Sequence, residues 1–274
     1  MGPLATVGQV FDAIQTVKSN APEFCTNFFP VQRKLQGWID HGELFGEVHR
    51  GAAFFLRKDR DFWHLYFCAA NKESLAREIT GLPELKRDPV VVDLVGNEEV
   101  SNDLSNLLKP EGFRPYRTLY RMARISQSDS QPSHGGGTPI NCAVSTDAPL
   151  IWELLGRAFD RYAEQLPTLY EIEAAIDSHQ ILTAKHNGTL AGLLFFETQG
   201  LTSTVRYWLV DEPFRAFRFG SALMQRYFAA QTAVRRFILW VLADNENAIQ
   251  KYRHYGYAAD GLVDRVLLNQ IIQA

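Results

Sequence analysis

The sequence predicts an α/β protein, in detail an α+β arrangement of two tandem units, each a mixed, mostly antiparallel sheet flanked by helices. Three observations predict it. The order helix, helix, three extended runs, helix, extended run occurs twice along the 274 residues. A polar stretch at 126–138, reading SQSDSQPSHGGGT, carries no apolar period and separates the two occurrences. Each occurrence also closes alike, with Leu107 to Phe113 before the run Tyr116–Met122, and Tyr252 to Tyr257 before the run Leu262–Leu268. The expected division is therefore 1–125, a linker at 126–138, and 139–274.

Val7, Val10, Phe11, Ile14 and Val17 recur at spacings of three and four, so residues 7–19 read as an amphipathic helix. A second helix is expected over 31–39. Three runs rich in aromatic and aliphatic residues follow at 44–49, 52–57 and 62–68, joined by junctions short enough for hairpins. Residues 72–79 read as a helix, and the continuous apolar run 90–95 as a strand buried on both faces. In the second half, 146–162 and 169–177 are expected to be helical. Asn187-Gly188 marks a hairpin between the runs 181–185 and 190–197.

The chemistry concentrates between Val205 and Tyr257. An extended run, Val205–Val210, breaks at Asp211-Glu212-Pro213. A basic, glycine-containing turn, Arg215–Ser221, then passes straight into good helix formers at 223–228. Strand, turn and helix start in that order aim unpaired N–H groups and the positive end of a helix dipole at one point, which suits a phosphate. A second apolar run, Phe237–Leu242, precedes a short helix with Asn245 at its start and Gly256 at its end.

Here the chain resembles the GNAT acyltransferase superfamily. Arg215 and Gly220 match the first and last positions of the family's Gln/Arg-x-x-Gly-x-Gly/Ala loop, with Arg218 standing where the first glycine usually stands. Asn245, Ala248, Tyr252, Gly256 and Tyr257 meet the following Asn-x-x-Ala-x-x-x-Tyr-x-x-x-Gly-Phe/Tyr block. The resemblance covers residues 139–274. It implies two tandem GNAT-like domains, with acetyl-CoA as cosubstrate and no metal. It also implies a slot between the strands at 205–210 and 237–242, where Leu209 and Val210 would meet the pantetheine arm. The loop residues Arg215, Ala216, Phe217, Arg218, Phe219, Gly220 and Ser221 would then cradle the pyrophosphate.

Each assignment has a plainer alternative. The loop also reads as a basic helix start with a packing glycine, and the Arg218 side chain either binds a phosphate or crowds it. Asn245 either bonds the pantetheine arm or only caps its helix, with Ala248 in the turn above. The resemblance gives Tyr252 the role of general acid toward the departing thiolate; the alternative is an aromatic filling the gap between helix and sheet. Attack by an amine needs a group to take its proton. Glu197 is the nearest acid on the strand before Thr202-Ser203-Thr204, with Glu164 and Glu171 on the helical side and His179 and His186 as further candidates. Tyr162, Tyr170, Tyr207 and Trp208 are expected either at the acceptor pocket or in the core.

At the position of this loop, the first half reads Cys68-Ala69-Ala70-Asn71-Lys72-Glu73-Ser74, without glycine or arginine. It is read as a diverged copy that does not hold CoA. A net charge of −3 gives no electrostatic case for nucleic acid. Three widely separated cysteines, Cys25, Cys68 and Cys142, are expected to be reduced and mostly buried. No signal or membrane-spanning segment is read, so the expected location is cytoplasmic.

The expected function is acetyl-CoA-dependent N-acetyl transfer to a primary amine of a small molecule or peptide. The alternatives are a non-catalytic module that senses acyl-CoA or binds a partner, and a transferase with another acyl or aminoacyl donor, since Fem-like transferases also pair two such folds. Oligomeric state is not readable from the sequence.

Overall fold

The computed structural model describes residues 1–19, 21–126 and 140–269. The expected linker at 126–138 lies, except for Ser126, outside them. In chain order the first half contains β1 (Gly2–Pro3), α1 (Val7–Ser19), β2 (Cys25–Thr26), α2 (Gln32–Asp40), β3 (Leu44–Val48), β4 (Ala52–Asp59) and β5 (Phe62–Ala69). It continues with α3 (Lys72–Ile79), β6 (Val90–Gly96), α4 (Glu98–Leu108) and β7 (Arg114–Ile125). The second half runs β8 (Ile140–Cys142), α5 (Ala148–Ala158), α6 (Leu169–Asp177), β9 (Ile181–His186), β10 (Thr189–Gln199) and β11 (Thr202–Val210). It closes with α7 (Phe219–Ala230), β12 (Arg236–Leu242), α8 (Glu246–His254) and β13 (Ala258–Leu268).

Two compact units result. Met1–Leu119 forms one with the described part of Gly261–Ala274, and Tyr120–Asp260 forms the other. Both boundaries fall inside strands, so β7 and β13 each change unit along their length. Division by chain order at 125 and 139 thus differs from compaction. The physical reason is that the outer edge of β6 is filled by β13, from Val263↔Gly96 to Leu268↔Val91, so the last strand of the chain completes the first unit.

In the first unit β3, β4 and β5 form an antiparallel meander, and β5 meets β6 in parallel. Its core has two layers. Phe54, Leu65, Phe67, Val92 and Leu104 pack on the side of α3 and α4. Val10, Leu35, Trp38, Phe55 and Tyr66 pack on the side of α1 and α2. The helix α4, not foreseen in the sequence, starts at an Asn97 cap whose side chain accepts from the Val100 N–H.

The second unit repeats this plan with β9, β10 and β11 as the meander and β12 parallel to β11. Leu194, Phe196, Leu223, Tyr227, Phe237 and Leu239 fill the layer beneath α7. Ile151, Leu155, Ile172, Leu193, Phe195 and Tyr207 fill the layer beneath α5 and α6. Burying roughly a dozen such side chains at ~1.5–3 kcal/mol each is what holds the strands at the spacing described next.

The cysteines are free, as Cys25 half-buried, Cys68 buried and Cys142 exposed. Exposure of Cys142 departs from the expected burial, because its strand is a three-residue edge beside β9. No helix among the described residues is long and apolar enough to cross a membrane.

Candidate active site

The site of the second unit begins with a bulge. Phe195 pairs with Tyr207 and Phe196 with Val205, so Arg206 opposes no residue of β10. An extra residue inverts which face the following side chains occupy. Ser203 and Val205 point into the α7 layer, Tyr207 into the α5/α6 layer, and Trp208 and Val210 back toward α7.

The parallel pairing of β11 with β12 runs from Thr202↔Arg236 to Val205↔Leu239 and stops at the bulge. Beyond it β11 continues to Val210 and β12 to Leu242. The ladder between the two strands therefore does not extend to Leu209 and Val210, whose main chains pair with Leu193 and Gly192 of β10 on the other side.

Beyond the end of β11 stands the start of α7. A 3₁₀ turn, Glu212–Phe217, carries Pro213 and leads into Arg218 at the helix N-cap, which makes no side-chain capping bond. The first-turn N–H groups of Phe219, Gly220 and Ser221 thus have no intrahelical acceptor, which together with the helix dipole makes an anion-binding position. Arg215 lies exposed beside it, in a loose ion pair with Glu212 at 4.0 Å. Such a pair between exposed chains holds little energy, so its guanidinium is available. Ala216 and Arg218 are also exposed, and Phe217 stacks on Phe219 and lies 4.5 Å from the His186 ring. His186, a candidate base from sequence, is thereby packed against the loop.

Two positions differ in meaning from the loop pattern. Arg218 has φ 59° and ψ 18°, the left-handed conformation that a glycine adopts without strain. Gly220 has an ordinary conformation; a Cβ there would meet Trp208 Cζ2 at 3.3 Å and Val210 Cγ2 at 3.5 Å. Its absent side chain lets α7 approach β11, and the Gly220 carbonyl accepts from the Trp208 indole at 3.2 Å.

Past the end of β12, Asn245 caps α8 by accepting from the Ala248 N–H at 3.1 Å. The helix ends at Gly256, φ 82°, whose N–H bonds the Arg253 carbonyl. This places Tyr252 with its ring 5.5 Å from Trp208 and 6.0 Å from Tyr257. Its hydroxyl has no hydrogen-bond partner among the described residues. Burial, with a contribution from Glu164, raises its pKa, so the phenol keeps its proton.

The acids sort into two groups. Glu197, on β10 opposite Thr204, acts on the half-buried Arg206 guanidinium, as does Glu171 on α6. Burial works against that charge, and these acids with Tyr207 outweigh it and hold Arg206 protonated. Glu164, in the α5–α6 connection, is the acid whose charge reaches Tyr252. Of the aromatic candidates, Tyr162 and Tyr207 are buried while Tyr170 and Trp208 are half-buried.

The second unit is thus a mixed α/β domain in which the β11–β12 ladder stops short of an uncapped helix N-terminus. Residues 148–257 match the Acetyltransferase (GNAT) family model. The structures of similar fold include the tandem GNAT protein of the clavulanic acid biosynthesis pathway, without AcCoA, at TM-score 0.64 and 13% identity, covering 99% of each chain. A GCN5-related N-acetyltransferase of Sphaerobacter thermophilus matches at TM-score 0.57 and 16% identity, over 97% of this chain and 93% of that one. One from Kribbella flavida matches at TM-score 0.58 and 14% identity, over 86% and 92%. At these identities the likeness is one of fold. No curated protein sequence matches the chain. The match lies in the segment 148–257, and the fold of that family supports acyl-CoA-dependent acetyl transfer in general.

Proposed function

We propose that the protein is an N-acetyltransferase that takes an acetyl group from acetyl-CoA and gives it to a primary amine of a small molecule or peptide. One observation carries the reading: β11 and β12 part immediately after Val205↔Leu239, at the Arg206 bulge. The slot so formed runs from the uncapped start of α7 toward Tyr252. The thioester supplies an activated acetyl group and a thiolate leaving group. Phe219, Gly220 and Ser221 main-chain donors, with Arg215, hold the pyrophosphate, and the β11 edge at Leu209 and Val210 holds the pantetheine amides. Tyr252, protonated and without a competing partner, gives its proton to sulfur. Asn245 acts here by fixing the first turn of α8, and so the height of Tyr252.

The first unit offers no equivalent slot. Pairing of β5 with β6 also stops early, at His64↔Val91, but the gap is filled by the chain itself. Cys25 and Thr26 pair with Ala69 and Cys68, and the Asn27 side chain bridges both strands by donating to the carbonyls of Leu65 (3.0 Å) and Asp93 (3.1 Å). We therefore assign one acetyl-CoA site per chain, in the second unit. Free cysteines and the absence of a membrane-spanning helix among the described residues support a cytoplasmic location, and the small negative charge supports a partner other than nucleic acid.

The test is release of free thiol from acetyl-CoA in the presence of a panel of primary amines. Amine-dependent release with formation of the acetylated amine is expected. Saturable acetyl-CoA binding without acetylation of any amine would favour a sensing module.

A further inference from the structure

Aromatic rings are layered where the chain enters α7. Phe219, the first residue of that helix, is buried at 4% exposure, and Phe217 stacks on it with centroids 5.7 Å apart and planes 23° apart. The His186 ring, at the end of β9, lies 4.5 Å from Phe217 and 6.1 Å from Phe219. Phe214 closes the group at 5.9 Å from His186 and 6.5 Å from Phe217. Phe217 is the outermost member. It is 47% exposed, so its ring has packed neighbours on one side and solvent on the other.

The local chain fixes this ring. Phe217 ends the 3₁₀ turn, and the left-handed Arg218 after it redirects the backbone into α7, which leaves Phe217 outside the helix. Its ring neighbours come from β9, from the turn and from α7, so three elements hold it in one orientation. A side chain held in this way loses little freedom when a ligand settles on it.

Its place matters as much as its rigidity. Phe217 is two residues from the first N–H group of α7, a main-chain span of at most about 7 Å. In the sheet of this unit the strands run in the order β9, β10, β11, β12. Phe217 stands with His186 on the β9 side of the helix start. Tyr252 stands on the other side, against Trp208 of β11 and in the helix that follows β12. A CoA molecule whose pyrophosphate sits on the α7 N–H groups and whose pantetheine arm runs toward Tyr252 sends its adenosine the opposite way, over Phe217.

We propose that Phe217 is the platform on which the adenine ring of CoA stacks, with His186 and Phe219 backing it. The inference rests on the acetyl-CoA reading of the second unit. Every base has a π-face, so an exposed, immobile phenyl ring beside a phosphate position is the chemistry that takes one. Arg215 and Arg218, both exposed and flanking Phe217 in the chain, supply positive charge suited to the phosphate on the adenosine ribose. The loop then has two duties: its main chain holds the pyrophosphate, and the Phe217 ring reads the base. The donor so selected is a free CoA thioester. The same arm carried on a protein ends in a phosphodiester without a base and gains nothing from the ring.

The experiment titrates two ligands calorimetrically into the wild type, Phe217→Ala and Phe217→Trp. One is acetyl-CoA. The other is acetyl-4′-phosphopantetheine, which keeps the thioester arm and ends in one phosphate without adenosine, measured by competition with acetyl-CoA. Phe217→Ala is expected to bind acetyl-CoA about 5–50-fold more weakly and acetyl-4′-phosphopantetheine within about twofold of the wild type. Phe217→Trp keeps a stacking face and should bind acetyl-CoA within about twofold of the wild type. Unchanged acetyl-CoA affinity in Phe217→Ala overturns the proposal. An equal loss for both ligands also overturns it, since that marks a ring that only shapes the loop. If Phe217→Ala melts lower than the wild type, Phe217→Leu, which keeps apolar cover over His186 without a π-face, takes its place with the same two expectations. A wild type that binds neither ligand removes the acetyl-CoA reading together with this one, whereas a wild type that binds acetyl-CoA and a Phe217→Ala protein that loses nothing remove this one alone.

Discussion

The Asn27 carboxamide accepts from the Phe67 N–H at 2.7 Å, which ties a segment between two helices into the cleft of a parallel strand pair. With the two bonds its amide donates to Leu65 and Asp93, this buried side chain satisfies main-chain groups on both β5 and β6. In the first unit the end of the β5–β6 ladder is thus bridged by the chain's own residues. Asn27→Ala would orphan all three main-chain groups, and a loss of about 2–4 kcal/mol is expected in urea unfolding. Calorimetry should return one acetyl-CoA per chain for the wild type, and two sites would contradict this account of the first unit.

Arg218 is held at φ 59° without a capping bond. A left-handed conformation costs a residue with a Cβ roughly 1–2 kcal/mol. Arg218→Gly should therefore stabilise the protein by about 0.5–1 kcal/mol, the remainder being lost to the freer unfolded chain. Chemical denaturation checks the sign. Acetyl-CoA affinity of the same variant separates a phosphate-binding guanidinium, which predicts weaker binding, from a crowding one.

What the sequence made legible follows from how local each signal is. The helix over 7–19, the hairpin at Asn187-Gly188 and the capped helix ending at Gly256 depend on side-chain period and turn chemistry, and they form where expected. Gly220 was visible as a motif position, but its packing against Trp208 requires the third dimension. The bulge at Arg206 leaves no mark in composition, since one unpaired residue in a strand keeps the same residue types. Exchange of β7 and β13 between units was equally hidden, because strand pairing depends on which edge is open.

The first unit contains a buried acid whose protonation links its stability to pH. Asp264 on β13 is held well above the usual carboxylate range by burial and by the charge of Asp93, against a hydrogen bond from the Leu94 main chain. Close by, His64 lies between Asp59 (3.3 Å) and Asp93 (3.6 Å). Burial disfavours its charge, and the hydrogen bond with Asp59 together with the nearby Asp93 carboxylate outweighs that and raises its pKa. Arg57 is the other buried cation of the cluster. For Asp264 the unfolded chain releases its proton at lower pH than the folded one, so stability falls as pH rises from about 4 toward the folded value. Asp264→Asn should therefore be more stable than the wild type by roughly 1–3 kcal/mol at pH 7 and show no such gain near pH 3.5. His64 works in the same sense: its contribution is full below about pH 6.5 and fades as pH rises through its raised folded pKa, so both groups favour mild acidity.

Tyr252 is expected to be catalytic without being needed for binding. Tyr252→Phe removes one oxygen that has no hydrogen-bond partner among the described residues and leaves the ring against Trp208. Turnover should fall by about 10²-fold or more, with acetyl-CoA affinity within about twofold and an unchanged melting temperature. Unaltered turnover would remove the phenol from the mechanism.

The most direct measurement is calorimetric titration of acetyl-CoA into the wild type and into Ser221→Glu. Ser221 is exposed in the first turn of α7, where a carboxylate suits the helix dipole yet repels a phosphate from the same N–H groups. The site described here predicts saturable binding at one equivalent in the wild type, and at least a tenfold loss of affinity in a variant that melts no lower (about 1.4 kcal/mol). Absence of binding to the wild type, or equal affinity in the variant, would contradict it.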